Sequence, residues 1–264
     1  MSTLKLDIMD YFFKNGKTGF SVDFGLCPLM KIVDKVVKSP VCKGCYAATG
    51  MNVRSSLRKK ILGLPEQSKE TLEAFKADLP IIKFLLEREG TNRLRFYSWT
   101  DFKGPKDIEY IQAVLDIGLE AHIISKTLTQ PHNFKHLKKL VNKKGVFISL
   151  SFNEDWMKFF PQVKDFIVSN KAHNIQLNYT INPLTDELTD FIRDTFQVKH
   201  LRNTNKRDAM EAVGLDEKET CAVFGKDGSR VRKGGACHAC KNCDLGFLAH
   251  QKGKKGKLPD SLAA

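Results

Sequence analysis

Seven cysteines fall into two groups near opposite ends of the 264-residue chain, and both groups contain C-x2-C steps. The first group is Cys27, Cys42 and Cys45, with the spacing C-x14-C-x2-C after a predicted strand. Three thiolates can hold three corners of a [4Fe-4S] cluster and leave one iron open to a further ligand. A zinc site completed by a distant residue, or buried cysteines without a metal, are the alternatives.

The second group contains four cysteines in a C-x15-C-x2-C-x2-C pattern: Cys221, Cys237, Cys240 and Cys243. Four thiolates complete a tetrahedral zinc site or a second iron–sulfur cluster. Three ligands this close together favour a cluster, and zinc remains the competing interpretation. Because such a site has no open position, we expect it to stabilise the fold or to relay electrons.

Composition indicates a soluble, cytoplasmic protein that binds a polyanion. The chain is 42% hydrophobic and contains neither a secretion signal nor an apolar run long enough to cross a membrane. In a reducing cytosol, clustered cysteines more often bind metal than form disulfides. The net charge is +13, with basic segments at 54–60 and 252–257, which raises affinity for nucleic acid. A basic surface that only keeps the protein soluble is the alternative.

Strand and helix signals alternate along the chain. The predicted strands are 20–24, 94–99, 121–125, 146–152, 175–181 and 199–202, and the predicted helices are 69–89, 105–117, 133–141, 155–169 and 185–196. Pro80 and Pro161 are expected to kink or interrupt their helices. Six strands joined by helices predict a parallel sheet with right-handed crossovers.

Two of these strands carry a polar face opposite an apolar one. Ser149, Ser151 and Asn153 alternate with apolar residues in the fourth strand, and Asn178 and Thr180 do so in the fifth. A parallel strand covered by helices on both sides would be apolar on both faces. We therefore predict the lumen of a partly open barrel that holds a polar ligand. An antiparallel sheet with one face in water is the alternative.

Three sequence segments resemble a known family. They are 42–47 (CKGCYA), 97–102 (YSWTDF) and 237–243 (CHACKNC). Together with the predicted barrel, they resemble the radical S-adenosylmethionine (SAM) superfamily, and more narrowly the phage gene product 88 domain family, across about residues 20 to 247. The spacing usual in that superfamily is C-x3-C-x2-C, whereas the first gap here is fourteen residues.

The resemblance implies a partial (βα)6 TIM-like barrel over residues 1–205, a cluster-binding extension over 206–250 and a basic tail over 251–264. It implies a [4Fe-4S] cluster on the N-terminal cysteines that binds SAM and, once reduced, cleaves it to a 5′-deoxyadenosyl radical. Ser98, Thr100 and Asp101 replace the usual Gly-rich stretch and would meet the SAM ammonium group. Asp101 is alternatively a helix-start cap near Pro105. Residues near the third strand, His122, Ser125 and Lys126, are further candidates for the pocket lining.

The expected function is therefore that of a phage-encoded radical SAM enzyme of the isomerase or transferase class, acting in the host cytoplasm. A nucleic-acid base is the preferred substrate, for example an amino-acid-substituted thymine rearranged during DNA hypermodification. A nucleotide or small amino acid is the other possible substrate, and flavodoxin or ferredoxin would supply the electron. The alternative is a zinc- or iron–sulfur-containing protein that binds nucleic acid or transfers electrons without cleaving SAM.

Overall fold

The structure is a computed structural model that describes residues 10–15, 19–39, 46–152, 154–179 and 198–201. Within them the chain forms nine strands: β1 Phe12–Asn15, β2 Gly19–Val22, β3 Lys31–Val33, β4 Val36–Lys38, β5 Arg93–Phe96, β6 Glu120–Ser125, β7 Val146–Phe152, β8 Ile175–Tyr179 and β9 Val198–Leu201. The α-helices in the same residues are α1 Tyr46–Val53, α2 Ser55–Leu62, α3 Lys69–Arg88, α4 Pro105–Asp116, α5 Phe134–Leu137 and α6 Phe160–Ser169. Short 3-10 helices cover Thr127–Thr129, Pro131–Asn133 and Glu154–Phe159.

Seven strands form one mixed sheet in the order β1-β2-β5-β6-β7-β8-β9. Strand β1 is antiparallel to β2, and every later pair is parallel. The six parallel strands follow one another in chain order, as predicted, so the antiparallel alternative is wrong. The outer strands β1 and β9 do not pair within the described residues, so the sheet described here is open.

One face of the sheet is apolar and packs against helices. Ile123, Ile148, Leu150 and Leu177 are fully buried there. Helix α4 packs on β6 and against α3. Burial of this face is the main favourable contribution to folding in this part of the chain.

Helix α3 is a single element from Lys69 to Arg88 with Pro80 inside it, so Pro80 does not interrupt the helix, and the predicted kink stays a prediction. Its start is capped by Ser68, whose hydroxyl accepts from Thr71 N at 3.1 Å. Pro161 lies at the start of α6, where its missing N–H would have had no helical partner. The predicted helix 155–169 is therefore a 3-10 turn followed by an α-helix.

The predicted helix 133–141 is mostly absent, because α5 ends at Leu137. Lys139 N and Leu140 N bond three residues back, to His136 O and Leu137 O, so the α-helical pattern stops. Asn174 holds the backbone that follows. Its Nδ2 donates to the carbonyl of Leu140 at 2.9 Å, and its Oδ1 accepts from Asn142 N at 2.8 Å. These backbone groups are bound by a side chain from a distant loop and not by another helical turn.

Three features were not predicted. The first is β1, which adds an antiparallel edge to the sheet and buries Phe12 and Phe13. The second is the β3–β4 hairpin, which lies within the fourteen-residue gap between Cys27 and Cys42. The third is the pair of helices α1 and α2. No helix in the described residues is long and apolar enough to cross a membrane.

Candidate functional site

The loops that follow β2, β5 and β6 meet at the carboxyl edge of the parallel sheet. This edge is where open parallel sheets usually bind ligands. Asp23 directly follows β2, Tyr97 follows β5, and Lys126 follows β6. Three buried aspartates, which are described below, hold these loops together.

Asp23 anchors the loop after β5. Its Oδ1 accepts hydrogen bonds from the backbone N–H groups of Ser98, Trp99 and Thr100 at 2.9, 2.8 and 2.8 Å. The hydroxyl of Thr100 donates to the same oxygen at 3.0 Å. Tyr97 begins this turn with a φ of +68°, a conformation that a non-glycine residue adopts only when its surroundings hold it there. One carboxylate oxygen therefore accepts four hydrogen bonds from three consecutive residues.

The second oxygen of Asp23 is different. Asp23 Oδ2 is buried and has no hydrogen-bond partner among the described residues. Burial raises the pKa of Asp23 to about 6, even though the backbone N–H groups and the charge of Arg95 lower it. A buried, unpartnered acceptor costs free energy unless something binds it. This oxygen is therefore the group at the sheet edge best placed to accept a hydrogen bond from a ligand.

Asp101 joins the β5 loop to the β6 loop. Its carboxylate accepts from the hydroxyl of Ser125 at 2.6 Å, from the hydroxyl of Thr127 at 3.0 Å and from the backbone N–H of Lys126 at 2.9 Å. It also accepts from the backbone N–H of Phe102 at 2.7 Å. Burial raises the pKa of Asp101, and these donors lower it. Both oxygens of the Asp101 carboxylate accept hydrogen bonds within the chain, whereas Asp23 Oδ2 accepts none among the described residues.

The start of α4 is held by Asp107 and not by Asp101. Asp107 Oδ2 accepts from the backbone N–H groups of Lys103 and Gly104 at 2.8 and 2.9 Å. Its Oδ1 accepts from Gln67 Nε2 at 2.7 Å and from the Tyr97 hydroxyl. Burial raises the pKa of both Asp107 and Tyr97. The alternative that Asp101 caps this helix is therefore wrong.

A row of buried polar side chains crosses the sheet on the face opposite the helices. Register pairs Ser21 with Arg95 and Arg95 with His122. It also pairs Ser149 with Gln176, and Ser149 lies on the same face as His122 because their side chains meet. All five residues are at most 5% exposed. The predicted polar face is therefore present, and it extends over five strands.

Hydrogen bonds within this row are incomplete. The Ser149 hydroxyl lies 2.9 Å from His122 Nε2 and accepts from Gln176 Nε2 at 2.9 Å. Gln176 Oε1 and Ser21 Oγ are buried and have no hydrogen-bond partner among the described residues. Arg95 donates from Nη2 to the carbonyl of Tyr97 at 3.4 Å. Unpartnered acceptors at both ends of this row, with the buried guanidinium of Arg95 next to Ser21, make this face suitable for a polar ligand.

The predicted site residues are placed as follows. Ser98 and Thr100 lie in the turn that Asp23 holds, and Ser149 and Ser151 lie on the polar face of β7. Register pairs Ser151 with Asn178 of β8. Asn153 and Thr180 lie outside the described residues.

Cys27 is the described member of the predicted cluster ligands. It is buried in the loop that follows Asp23, and its carbonyl accepts from Met30 N at 3.0 Å. The other six cysteines lie outside the described residues: Cys42, Cys45, Cys221, Cys237, Cys240 and Cys243. Within the part of the chain that the structure describes, no three His, Cys, Asp or Glu side chains are grouped to hold a metal ion.

Sequence reasoning missed three residues of this region: Ser21, Asp23 and Arg95. A signal was present, because Ser21 and Asp23 alternate with apolar residues in the segment 20–24, and Arg95 lies between two buried apolar residues of β5. Of the further candidates, His122 lies on the polar face, whereas Ser125 and Lys126 bind Asp101.

Comparison of this chain with family models, with curated proteins and with solved structures finds no match. The site is therefore interpreted from its own residues.

Proposed function

We propose that this chain is an iron–sulfur enzyme of the radical SAM type that modifies a base in nucleic acid, as an isomerase or a transferase. In this proposal the parallel sheet belongs to a partial (βα)6 barrel, and the polar face lines its lumen. Cys27, Cys42 and Cys45 would hold the open-site [4Fe-4S] cluster. The four C-terminal cysteines would hold a second cluster or zinc.

One observation carries the proposal: a buried polar face with unpartnered acceptors lies beside the loop that contains Cys27. A sheet with only a structural role would fill this face with Val, Ile and Leu, as barrel cores usually do. Here Ser21 Oγ, Asp23 Oδ2 and Gln176 Oε1 lack partners within the described residues. Leaving three polar atoms in this state is costly unless a ligand satisfies them.

The described residues include the kinds of group that would hold an iron–sulfur cluster and SAM, in neighbouring positions. Cys27 is separated from Asp23 by only three residues, so the proposed cluster ligand and an unpartnered carboxylate oxygen lie in the same loop. A cluster with one open iron supplies, on reduction, the cleavage of SAM to a 5′-deoxyadenosyl radical. That chemistry needs an enclosed site, because a primary carbon radical takes hydrogen from nearby C–H and S–H groups other than the substrate's.

The chain's own residues would bind and orient the ligands. Asp23 Oδ2 is the acceptor available to the SAM ammonium group, and Asp23 Oδ1 keeps the β5 loop in place. Gln176 Oε1 and Ser21 Oγ would accept from the donor groups of the substrate or of SAM. Arg95 would pair with a carboxylate, since a guanidinium binds carboxylates bidentately.

The test is anaerobic purification followed by metal analysis and an assay for 5′-deoxyadenosine after dithionite reduction. We expect iron and sulfide with SAM cleavage. Cys42→Ala should abolish cleavage and leave about half of the iron, because the C-terminal ligands remain. Asp23→Asn should weaken SAM binding, whereas exposed Asp155→Asn serves as the matched control. Zinc without iron, or normal cleavage in Cys42→Ala, would overturn the proposal.

A second candidate function follows from the net charge of +13. It is a nucleic-acid-binding or redox protein in which the cysteines hold zinc or clusters and SAM is not cleaved. The same purification separates the two candidates. Iron without 5′-deoxyadenosine would favour an electron-transfer role, and zinc would favour nucleic-acid binding.

A further inference from the structure

We infer that the β3–β4 hairpin, together with α1 and α2, is a docking surface for the phosphate backbone of duplex DNA. The inference rests on the proposed function, because it names the surface that would hold the substrate. Its starting point is the unusual gap between the first two cysteines.

The hairpin occupies most of that gap. Strands β3 and β4 span Lys31–Lys38, and the fourteen residues between Cys27 and Cys42 include all of them. Asp34 and Lys35 form the turn with φ values of +50° and +63°. Two successive positive φ values are typical of the tight turns that match the twist of a hairpin. The added residues therefore build an ordered arm, about 10 Å long at the usual rise of a strand.

The arm is attached to the helices beside it. Asn52 on α1 accepts from Val37 N at 2.9 Å and donates to Val37 O at 2.8 Å. Arg58 on α2 donates from Nη1 to the carbonyl of Lys35. Val37 is itself buried, at 2% exposure. The hairpin and the two helices therefore form one body.

This body carries almost only positive charge. We name its exposed or half-exposed cations the cationic platform: Lys31, Lys35, Lys38, Arg54, Arg58, Lys59 and Lys60. Segment 46–62 contains no Asp or Glu, and Asp34 is the one acidic residue in 31–38. Lys31 and Lys38 lie directly opposite each other in the hairpin register. Like charges in this position destabilise a strand pair, and an anion between them would remove that cost.

The cationic platform adjoins the candidate site. A Cβ placed on Gly50 of α1 would lie 3.1 Å from Leu57 of α2 and 3.7 Å from the ring of Trp99. Trp99 belongs to the loop that Asp23 anchors. A polyanion on the platform would therefore reach the edge of the sheet where the buried polar face ends.

Duplex DNA is the partner that this surface fits best. Single strands are held by aromatic stacking, and membrane surfaces by interfacial aromatic residues, but segments 31–38 and 46–62 contain a single aromatic residue, Tyr46 at the start of α1. The major groove admits a two-stranded ribbon, and apolar side chains there contact thymine methyl groups. Ile32, Val33 and Val36 of the hairpin are 45%, 41% and 43% exposed.

The test compares two variants of equal charge in the full chain. The platform variant replaces the three hairpin lysines: Lys31→Gln, Lys35→Gln and Lys38→Gln. The control variant replaces three lysines of other surfaces: Lys76→Gln, Lys144→Gln and Lys171→Gln. Binding to a fluorescent mixed-sequence duplex is measured by anisotropy at several salt concentrations, without reductant.

For the platform variant we expect affinity at low salt to fall at least about tenfold. The slope of log K against log salt should become shallower by about 2 to 3, because each lost phosphate contact removes about 0.9. We expect the control variant to change affinity by less than about threefold, since its lysines would not touch the duplex. Equal losses in the two variants would show that only net charge matters and would overturn the inference.

A further variant, Lys38→Glu, distinguishes a loss of duplex binding from a loss of folding. It creates a Lys–Glu pair opposite Lys31, so the melting temperature should hold or rise while duplex binding falls. Retained duplex binding would overturn the inference. Tighter binding of the platform to single-stranded DNA or to phosphatidylserine vesicles than to the duplex would also overturn it. Because these measurements need neither iron nor SAM, their failure is distinguishable from failure of the proposed function.

Discussion

Replacing Asp23 tests whether one buried carboxylate organises the site. Asp23→Ala removes the acceptor of three backbone N–H groups, those of Ser98, Trp99 and Thr100, and of the Thr100 hydroxyl. An unsatisfied buried donor costs about 1–3 kcal/mol. Because the four bonds share one oxygen, their costs are not additive, and we expect a loss of about 3–5 kcal/mol in the free energy of unfolding.

Asp23→Asn has a different expected result, because Asn keeps an acceptor at Oδ1 and removes the charge. Burial raises the pKa of Asp23 from 3.8 to about 6, so ionisation of this group in the folded state costs about 3 kcal/mol at neutral pH. The new amide NH2 group takes the place of Oδ2, which has no hydrogen-bond partner among the described residues. Burying the NH2 group at this position costs about 1–3 kcal/mol. The two effects offset each other, and we expect Asp23→Asn to lie within about 2 kcal/mol of the parent at pH 7.

The pH dependence gives the sharper test. A carboxyl whose folded pKa is raised binds its proton more tightly in the folded state, so it contributes stability at low pH that is lost as pH rises through about 6. Asp23→Asn removes this effect but leaves Asp101 and Asp107, whose pKa values burial also raises. Relative to the parent, Asp23→Asn should therefore gain about 2 kcal/mol between pH 4.5 and pH 7.5.

Urea unfolding followed by tryptophan fluorescence and circular dichroism measures these differences at each pH. The slope of free energy against urea concentration should be the same in all variants, since the surface exposed on unfolding is unchanged. Asp155→Asn, at an exposed position, is the control and should show no such trend. A constant difference between the parent and Asp23→Asn across this pH range would refute the reasoning, and so would equal stabilities of the Ala and Asn variants.

Two further predictions concern the loops around the site. Gly25 has a φ of +48°, and an added Cβ would lie 2.1 Å from Lys103 Nζ and 2.3 Å from Glu66 Oε1. Lys103 and Glu66 form an ion pair, so Gly25→Ala should break this pair and cost about 1–3 kcal/mol in stability. Gly90 also has a positive φ, but an added Cβ there meets no atom within 4 Å, so Gly90→Ala has the backbone strain without the steric clash. In thermal melts, Gly25→Ala should therefore lower the melting temperature more than Gly90→Ala does. Asn174→Ala removes two donors and one acceptor that hold the loop after α5, and should cost about 2–4 kcal/mol in urea unfolding. An unchanged unfolding midpoint in Asn174→Ala would contradict this role.

Much of the fold could be predicted from local patterns. Apolar and polar residues alternate with a period of two along β7 and β8, and this period identifies both the strands and their faces. A helix between two strands favours a parallel crossover, which is the arrangement found for six strands in chain order. Gly118 follows the end of α4 with a φ of +79°, a left-handed conformation for which glycine is favoured at this position.

Other elements could not be predicted, because distant residues decide them. The helix expected at 133–141 ends early, and Asn174 from another loop binds Leu140 O and Asn142 N just beyond its last turn. The β1 strand and the β3–β4 hairpin depend on pairing partners and on side chains such as Asn52, which no local pattern contains. Periodicity carries no information about such contacts.

The same division applies to the candidate site. The amino-acid sequence by itself determined the grouping of the cysteines, the parallel strands and the polar faces of β7 and β8, because each depends on spacing within a short segment. The tertiary structure alone decided that both oxygens of Asp101 are bound within the chain while Asp23 keeps one unpartnered within the described residues. The physical reason is strand register: β2 and β5 are far apart in sequence, and only their pairing in the sheet brings the Asp23 carboxylate to the N–H groups of Ser98, Trp99 and Thr100.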